Sequence, residues 1–532
     1  MNKWITRGAA AILGLCLVAG GLIFMPNILQ RLQPAEIPAS EDKVGAGSSE
    51  EETLDLGAFR ELLSRGDLSQ ALSYLKDNAP NFGRESLSTA LTEYCATLLH
   101  SLPEKTAALQ GAAEGSSLFQ SLFTPGGITV ADLNDLDFLN QETSLPEDPE
   151  LKQLLRQACS QGLKVRVPEG MLEATIDYQA LLDTFSGSIT DELAQYFKIR
   201  ATESNQPALV DAALTIDWDE LAKRLAAIED FERAFPNSQY KLPLSTLQRS
   251  YLASYIFGAN NTPSYSYESK IVKPEVLKSY EQTLETYPDY RFTALVRDYK
   301  AKLAQNESKV NDHILAEMHP ALDHFLGAVQ VESNTITKEE DTIVVNQEIP
   351  VVYLPNNPAL AEEVNQRLEE AYVWREEIEA QLQDYLAAAE ENDFPVHPFQ
   401  VHSSYLVTYN MNNLLSIATD HYQYTGGAHG MSTRWALTID LETGRELKLQ
   451  DFFSQSEDYK KVIVAEIKRQ VETEPDLFFP DAVDTAREIL EQGEARFYLE
   501  YGNLVVYFGE YDIAPYVAGI IEFRIPFEGL VA

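Results

Sequence analysis

The segment from Ala9 to Leu29 constrains this chain more than any other, because it is almost entirely apolar or small. A helix of about 20 such residues spans a bilayer. Lys3 and Arg7 precede the run, so the positive-inside rule places the N-terminus in the cytoplasm. We therefore expect a single-pass protein of the cell membrane. Residues 1–8 would be a cytoplasmic tail and residues 9–29 a transmembrane anchor, with the bulk of the chain outside.

A cleaved signal peptide is the alternative explanation of this run. Signal peptides have a shorter apolar core that ends at a small-x-small cleavage site. Ala19-Gly20-Gly21 fits such a site, but the apolar run continues beyond it from Leu22 to Met25. The sequence thus favours an uncleaved anchor, with a secreted protein as the alternative.

Residues 30–53 are predicted to form a linker. Pro34, Pro38 and the acidic run from Ser48 to Glu52 offer few side chains that could be buried in a core. This segment would hold the folded part of the chain away from the lipid surface.

The apolar residues between positions 54 and 330 have helical spacing, as in Leu68, Ala71, Leu72 and Leu75. This pattern predicts an all-α region, with a division into two subdomains near residues 146–165 as one arrangement. Two segments look like copies of one helix ending, Phe231-x-x-x-Phe235-Pro-Asn and Thr283-x-x-x-Tyr287-Pro-Asp. Such copies are typical of a tetratricopeptide-like array, and an irregular helical bundle is the alternative.

The remainder of the chain, residues 335–532, predicts an α+β domain. Asn357-Pro358 is a typical helix start, and the apolar stripe that follows predicts one long helix to about Glu390. Alternation from Phe399 to Tyr409 then predicts a strand with one apolar face that includes Val407. Further strands and two helices complete an antiparallel sheet with helices on one side. The fold class predicted for the whole chain is therefore multidomain.

Candidate ligand-binding residues come from two short motifs in this domain. A glycine-rich corner, YTGGAHG, joins two predicted strands, and adjacent glycines suit positive φ or close approach. A tyrosine motif, Tyr511-Asp-Ile-Ala-Pro-Tyr516, lies near the C-terminus. The same residues could instead serve only the fold. The candidates are Tyr424, Gly426, Gly427, His429, Tyr511, Pro515 and Tyr516.

The two motifs, together with the segment from Leu437 to Phe453 between them, resemble a known module. It is the extracytoplasmic C-terminal module shared by the lysozyme-sensing anti-sigma factor RsiV and the peptidoglycan deacetylase PdaC. The resemblance implies a module that binds a protein or a cell-wall ligand. The resemblance does not extend to the catalytic domain of the deacetylase, because no part of this sequence resembles that metal-dependent domain. The predicted cytoplasmic tail, residues 1–8, is too short to hold a sigma factor.

Charge limits the classes of partner. Aspartate and glutamate number 82 against 41 lysines and arginines, which gives a net charge of −41. Nucleic acid is excluded as a partner, since phosphate recognition requires the opposite sign. A cationic protein of the lysozyme kind would be attracted by this charge, and a cell-wall glycan is the other partner that we expect.

No catalytic motif is present in the sequence, so we expect a binding protein and not an enzyme, without metal or cofactor. The histidines between His313 and His324 are best explained by a solvated helix. Cys95 and Cys159 could pair outside the cell, but their spacing does not decide it. A cell-wall-acting enzyme with an unrecognised site and a structural envelope scaffold are the alternatives.

Overall fold

The computed structural model describes residues 56–141, 148–372, 374–453 and 459–530. The predicted tail, anchor and linker lie outside these ranges. Within them, no helix is both long enough and apolar enough to cross a membrane.

The first part of the described chain is helical, as predicted. Short two-stranded hairpins interrupt the helices where the chain turns. The helices are α1 Gly57–Ser64, α2 Leu68–Asn78, α3 Arg84–Ala113, α4 Ser117–Ser121, α5 Val130–Leu133, α6 Leu136–Asn140, α7 Pro149–Ser160, α8 Tyr178–Phe185, α9 Asp191–Asn205, α10 Trp218–Ala234, α11 Lys241–Phe257, α12 Pro274–Thr286, α13 Arg291–Gln305 and α14 Asp312–Phe325. The strands are β1 Leu163–Arg166, β2 Glu173–Ile176, β3 Leu209–Val210, β4 Ala213–Leu214, β5 Gly258–Ala259 and β6 Thr262–Pro263.

The helical region contains two hydrophobic cores. The larger one runs through most of its helices. The smaller one joins residues from Leu109 to Ala174 and includes Leu139 and Leu151. This small core therefore draws residues from both sides of the segment at 146–165.

The two predicted helix endings have the same local structure. Phe235 and Tyr287 are the residues at which α10 and α12 end, and each donates its backbone N–H to the residue four positions earlier. A second helix follows each of them, α11 and α13 respectively. Each of the two endings therefore leads into the turn between two consecutive helices.

The C-terminal region is α+β, as predicted. Its helices are α15 Pro358–Glu370, α16 Trp374–Asn392, α17 Tyr459–Thr473 and α18 Ala482–Gln492. Its strands are β7 Gln330–Glu340, β8 Ile343–Tyr353, β9 Phe399–Met411, β10 Leu414–Tyr424, β11 Met431–Asp440, β12 Arg496–Glu500, β13 Asn503–Phe508 and β14 Ile521–Pro526.

These strands form two sheets instead of the single sheet that we expected. The five-stranded sheet has the order β11-β10-β9-β8-β7 and the three-stranded sheet the order β12-β13-β14. Their pairings are antiparallel except for the β8–β9 pair, which is parallel. Helices α15 and α16 pack on one face of the large sheet. On its other face, Ala418 contacts Val505 and Tyr507 of the small sheet.

The parallel β8–β9 pairing is short. Outside it, two asparagine side chains form hydrogen bonds with backbone groups. Asn365 accepts from the backbone N–H of Val352 and donates to its carbonyl, at 2.7 and 3.0 Å. Asn410 makes the same pair of bonds with Val329, at 2.8 and 2.7 Å. Each amide thus binds both backbone groups of one residue, as the backbone of a neighbouring strand would.

The predicted long helix to Glu390 is wrong, since α15 ends at Glu370 and α16 begins at Trp374. Tyr372 lies between them and its side chain is buried. Its hydroxyl donates to the carbonyl oxygen of Glu348 at 2.8 Å. The tertiary contact of this ring with the sheet therefore accompanies the break in a sequence that is helical in pattern on both sides.

The predicted alternation along β9 is also wrong at Val407, which is 37% exposed. The register of β9 against β10 shifts between Ser416 and Ile417. Such a bulge changes the face to which the following side chains point. Tyr409 returns to the interior and is fully buried.

The end of the chain packs against the helical region. Phe527 and Leu530 belong to the same core as α3 and α11. The carboxylate of Glu528 pairs with Arg200 of α9, whose side chain is 14% exposed. The C-terminal residues therefore pack the α+β region against the helices.

The two cysteines described by the structure are free thiols. Cys95 is buried in α3, and this burial raises the pKa of its thiol to about 12. Burial also raises the pKa of Cys159 to about 11. Both thiols are therefore protonated near neutral pH, which makes them poor nucleophiles.

Candidate functional site

The glycine-rich corner joins β10 to β11. Gly426 has a φ of +84°, and a Cβ atom there would lie 2.8 Å from the ring of Tyr385 on α16. A Cβ atom on Gly430 would overlap the ring of Tyr422. Of the two adjacent glycines, Gly426 thus has the positive φ and the close approach that the sequence predicted, whereas Gly427 has no atom near the position of a Cβ.

The corner brings His429 beside the late tyrosine motif. The rings of His429 and Tyr516 lie 4.3 Å apart at an interplanar angle of 34°. Tyr516 and Tyr511 are stacked at 5.7 Å and 27°. We call these three rings the aromatic ladder. Tyr511 is 50% exposed and the neighbouring Val517 is 91% exposed, so the ladder lies at the surface.

The carbonyl oxygen of Gly430 holds two rings of the ladder in place. It accepts from the hydroxyl of Tyr516 at 2.9 Å and from Nδ1 of His429 at 2.8 Å. A carbonyl oxygen can only accept, so Nδ1 of His429 must carry the proton. The ladder is thus fixed to the backbone of the corner.

The ionisation of Tyr516 is shifted by its surroundings. Partial burial raises the pKa of its hydroxyl, and the carboxylate of Glu510 and the two neighbouring tyrosines act in the same direction. Tyr516 is therefore a neutral phenol that can donate a hydrogen bond at physiological pH.

A cleft of about 490 Å³ lies beside the ladder, between the two sheets. Arg434 in this cleft is paired with Asp420 at 2.6 Å and also with Glu522. Glu348 and Glu510 also line the cleft, and neither forms an ion pair with another residue in the described ranges. The cleft therefore presents net negative charge next to the aromatic surface.

The opposite face of the same strands holds a polar cluster that sequence reasoning missed. The amide of Gln347 donates to Oγ of Ser403 at 3.2 Å, and the same Oγ is hydrogen-bonded to Nδ1 of His421 at 2.9 Å. Ser403 and His421 are direct cross-strand partners. Neighbours in sequence point to opposite faces of a strand, so this pairing can be found only from the register.

This cluster resembles a nucleophile and its base, but both side chains are largely buried. Ser403 is 5% exposed and His421 is 7% exposed. The ring of Tyr372 packs edge-on against His421 at 5.1 Å. Burial lowers the pKa of His421 to about 4, so the imidazole is neutral. The arrangement stabilises the junction of sheet and helices, and both residues also line the cleft between the two sheets.

The structure brings together some of the predicted residues and separates others. His429, Tyr511 and Tyr516 meet in the ladder. Pro515 is exposed and precedes the short 3₁₀ turn that carries Tyr516. The other three predicted residues do not join the ladder: Gly426 faces Tyr385, Gly427 is exposed and Tyr424 ends β10.

Two family models match this part of the chain. The model of the family described as Deacetylase PdaC matches residues 336–432. The model of a protein family of unknown function, DUF3298, matches residues 450–528. The C-terminal region carries a PdaC-like domain followed by a DUF3298 domain. The resemblance inferred from the motifs is therefore confirmed, and both domains are consistent with an envelope-associated module.

Solved structures described as DUF3298 family proteins are similar to part of this chain. One from Bacteroides fragilis has 22% sequence identity and a TM-score of 0.29, covering 38% of this chain and 92% of that one. One from Pseudomonas aeruginosa has 19% identity and a TM-score of 0.25, with the same coverage. No curated protein matches the chain.

Proposed function

We propose that this protein is an extracytoplasmic binding protein of the bacterial cell envelope. Its C-terminal region would capture a basic, lysozyme-like protein on the aromatic ladder and the adjoining acidic cleft. The predicted segment at residues 9–29 would anchor it in the cell membrane. The linker at residues 30–53 would carry the binding face away from the lipid.

The observation that carries this proposal is the exposed ladder of His429, Tyr516 and Tyr511. Tyrosine is enriched among the residues that dominate binding energy, because its ring buries much area at little entropic cost. Here the rings of His429 and Tyr516 are already ordered by hydrogen bonds to Gly430, so binding would immobilise these two rings little more.

Charge favours a basic protein over a glycan as the partner. Glu348 and Glu510 supply carboxylates beside the ladder, and the whole chain carries a net charge of −41. Such a field accelerates the encounter with a cationic protein, and local carboxylates then pair with its lysines or arginines. A neutral glycan would gain from the rings alone.

Calorimetric titration of the full-length chain with lysozyme, at low and at moderate salt, tests the proposal. We expect saturable binding that weakens with salt but persists. Tyr516→Ala should weaken it by at least about tenfold, the range of an interface residue that contributes strongly. Tyr267→Ala is the matched control, since Tyr267 is an exposed tyrosine of the helical region.

Binding that disappears at moderate salt, or that is the same in Tyr516→Ala and the wild type, would contradict the proposal, since charge alone would then account for it. Absence of binding at low salt would also contradict it. Sedimentation of the chain with purified cell-wall glycan, if it depended on Tyr516, would then identify a glycan as the ligand.

A further inference from the structure

A second cleft lies between the helical region and the α+β region, away from the ladder. Helices α1 and α3 form one wall, α17 forms the other, and the volume is about 610 Å³. Ala96 on α3 and Ala465 on α17 both line it, together with Leu63 and Val462. Small side chains on both walls leave space that larger ones would fill, and the space is bounded mainly by apolar groups.

The two buried carboxylates of this cleft are already balanced by arginines, and Lys461, which also lines the cleft, is exposed. Glu93, 5% exposed, accepts two hydrogen bonds from Arg60, at 3.0 and 2.5 Å. Glu466, 4% exposed, accepts two from Arg469, at 3.0 and 2.6 Å. Bidentate pairs of this kind satisfy both partners. A ligand in the cleft therefore needs no net charge.

One polar atom of a residue that lines the cleft has no hydrogen-bond partner within the described ranges. His100 lines it, and Nδ1 of this ring must carry the proton, because it lies 2.7 Å from the carbonyl oxygen of Ala96. Burial lowers the pKa of His100, which keeps the ring neutral. Nε2 then holds a lone pair, is buried, and has no hydrogen-bond partner among the described residues.

We propose that this cleft binds a small neutral molecule with an apolar body and one O–H or N–H donor. The apolar body would lie between Ala96 and Ala465, and the donor would reach Nε2 of His100. Binding sites of small molecules are commonly concave and mostly apolar, with few polar groups and a volume of about 300–1,000 Å³. They often lie at the junction between domains. This site is independent of the aromatic ladder.

The test uses 1-naphthol as the probe and its methyl ether, 1-methoxynaphthalene, as the matched probe without a donor. Equilibrium dialysis against the full-length chain would measure both. We expect 1-naphthol to bind at least tenfold more tightly than the ether. The preference should disappear in His100→Phe, which keeps an aromatic ring but lacks the acceptor.

Ala465→Leu is the second variant, since it fills the cleft without touching His100. It should abolish binding of both probes, while circular dichroism and the melting temperature show whether the variant is folded. Absence of 1-naphthol binding to the wild type would overturn the proposal. So would equal affinity for the two probes, or undiminished binding to a folded Ala465→Leu protein.

Discussion

The hydroxyl of Tyr516 donates a hydrogen bond to the carbonyl oxygen of Gly430, which lies 86 positions earlier in the chain. This bond joins the late tyrosine motif to the glycine-rich corner. The two motifs therefore form one surface, although three strands, β11, β12 and β13, and two helices separate them in sequence. The stacking of His429 on Tyr516 depends on the same carbonyl oxygen.

The first prediction concerns this bond. Tyr516→Phe should lower the free energy of unfolding by about 1 kcal/mol, the net value of one hydrogen bond. The loss should be no larger, because His429 still donates to the carbonyl oxygen of Gly430. Urea unfolding measures the change. A loss above about 3 kcal/mol would mean that the hydroxyl has a structural role beyond this bond.

The second prediction concerns pH. Burial lowers the pKa of His421 from 6.5 to about 4, although Asp420 acts in the opposite direction. The unfolded chain binds more protons than the folded one in this window, so stability is fully present above pH 6.5 and is lost as the pH falls toward 4. The expected loss is about 3 kcal/mol.

Urea unfolding at pH 7 and pH 5 checks this dependence. The slope with pH should be smaller in His421→Phe than in the wild type. His313→Gln is the control, because its imidazole is 80% exposed and pairs only with Glu317 among the described residues. A slope that is unchanged in His421→Phe would assign the pH dependence to other groups.

The third prediction concerns Asn410. Its amide donates to the carbonyl oxygen of Val329 and accepts from the N–H of the same residue. Asn410→Asp can still accept but can no longer donate, and its charge repels the carbonyl oxygen. We expect a loss of about 1–3 kcal/mol, the cost of an unsatisfied polar group.

Chemical unfolding of Asn410→Asp measures this loss. Asn392→Asp is the matched control, since Asn392 makes one bond, to the carbonyl oxygen of Ala388, at an exposed helix end. A loss no greater than that of the control would show that the amide does not substitute for a strand.

The fourth prediction concerns the attachment of the C-terminus. Glu528→Gln removes the charge that faces Arg200, whose side chain is largely buried. An uncompensated buried charge is costly, so we expect a loss of about 2–3 kcal/mol. Glu494→Gln at an exposed position is the control. Calorimetric melting should show the lower temperature only for Glu528→Gln.

Much of the local structure could be predicted from the sequence. The apolar spacing predicts a helical region followed by an α+β region, and the structure contains both. Predictions from local sequence fail where contacts with distant residues compete with local preferences. Tyr372 lies in a helical pattern, yet its contact with the sheet coincides with the break between α15 and α16. The bulge at Ser416 likewise depends on the neighbouring strand.

The candidate site could be predicted only in part, because contacts between distant residues also decide it. The sequence by itself determined the glycine-rich corner, because adjacent glycines permit the positive φ found at Gly426, and it determined the net charge of the chain. Tertiary structure alone decided that His429 meets Tyr516 and that Ser403 meets His421. Those contacts depend on strand register and sheet packing. One sequence pattern is compatible with several registers, and the sum of many distant contacts selects among them.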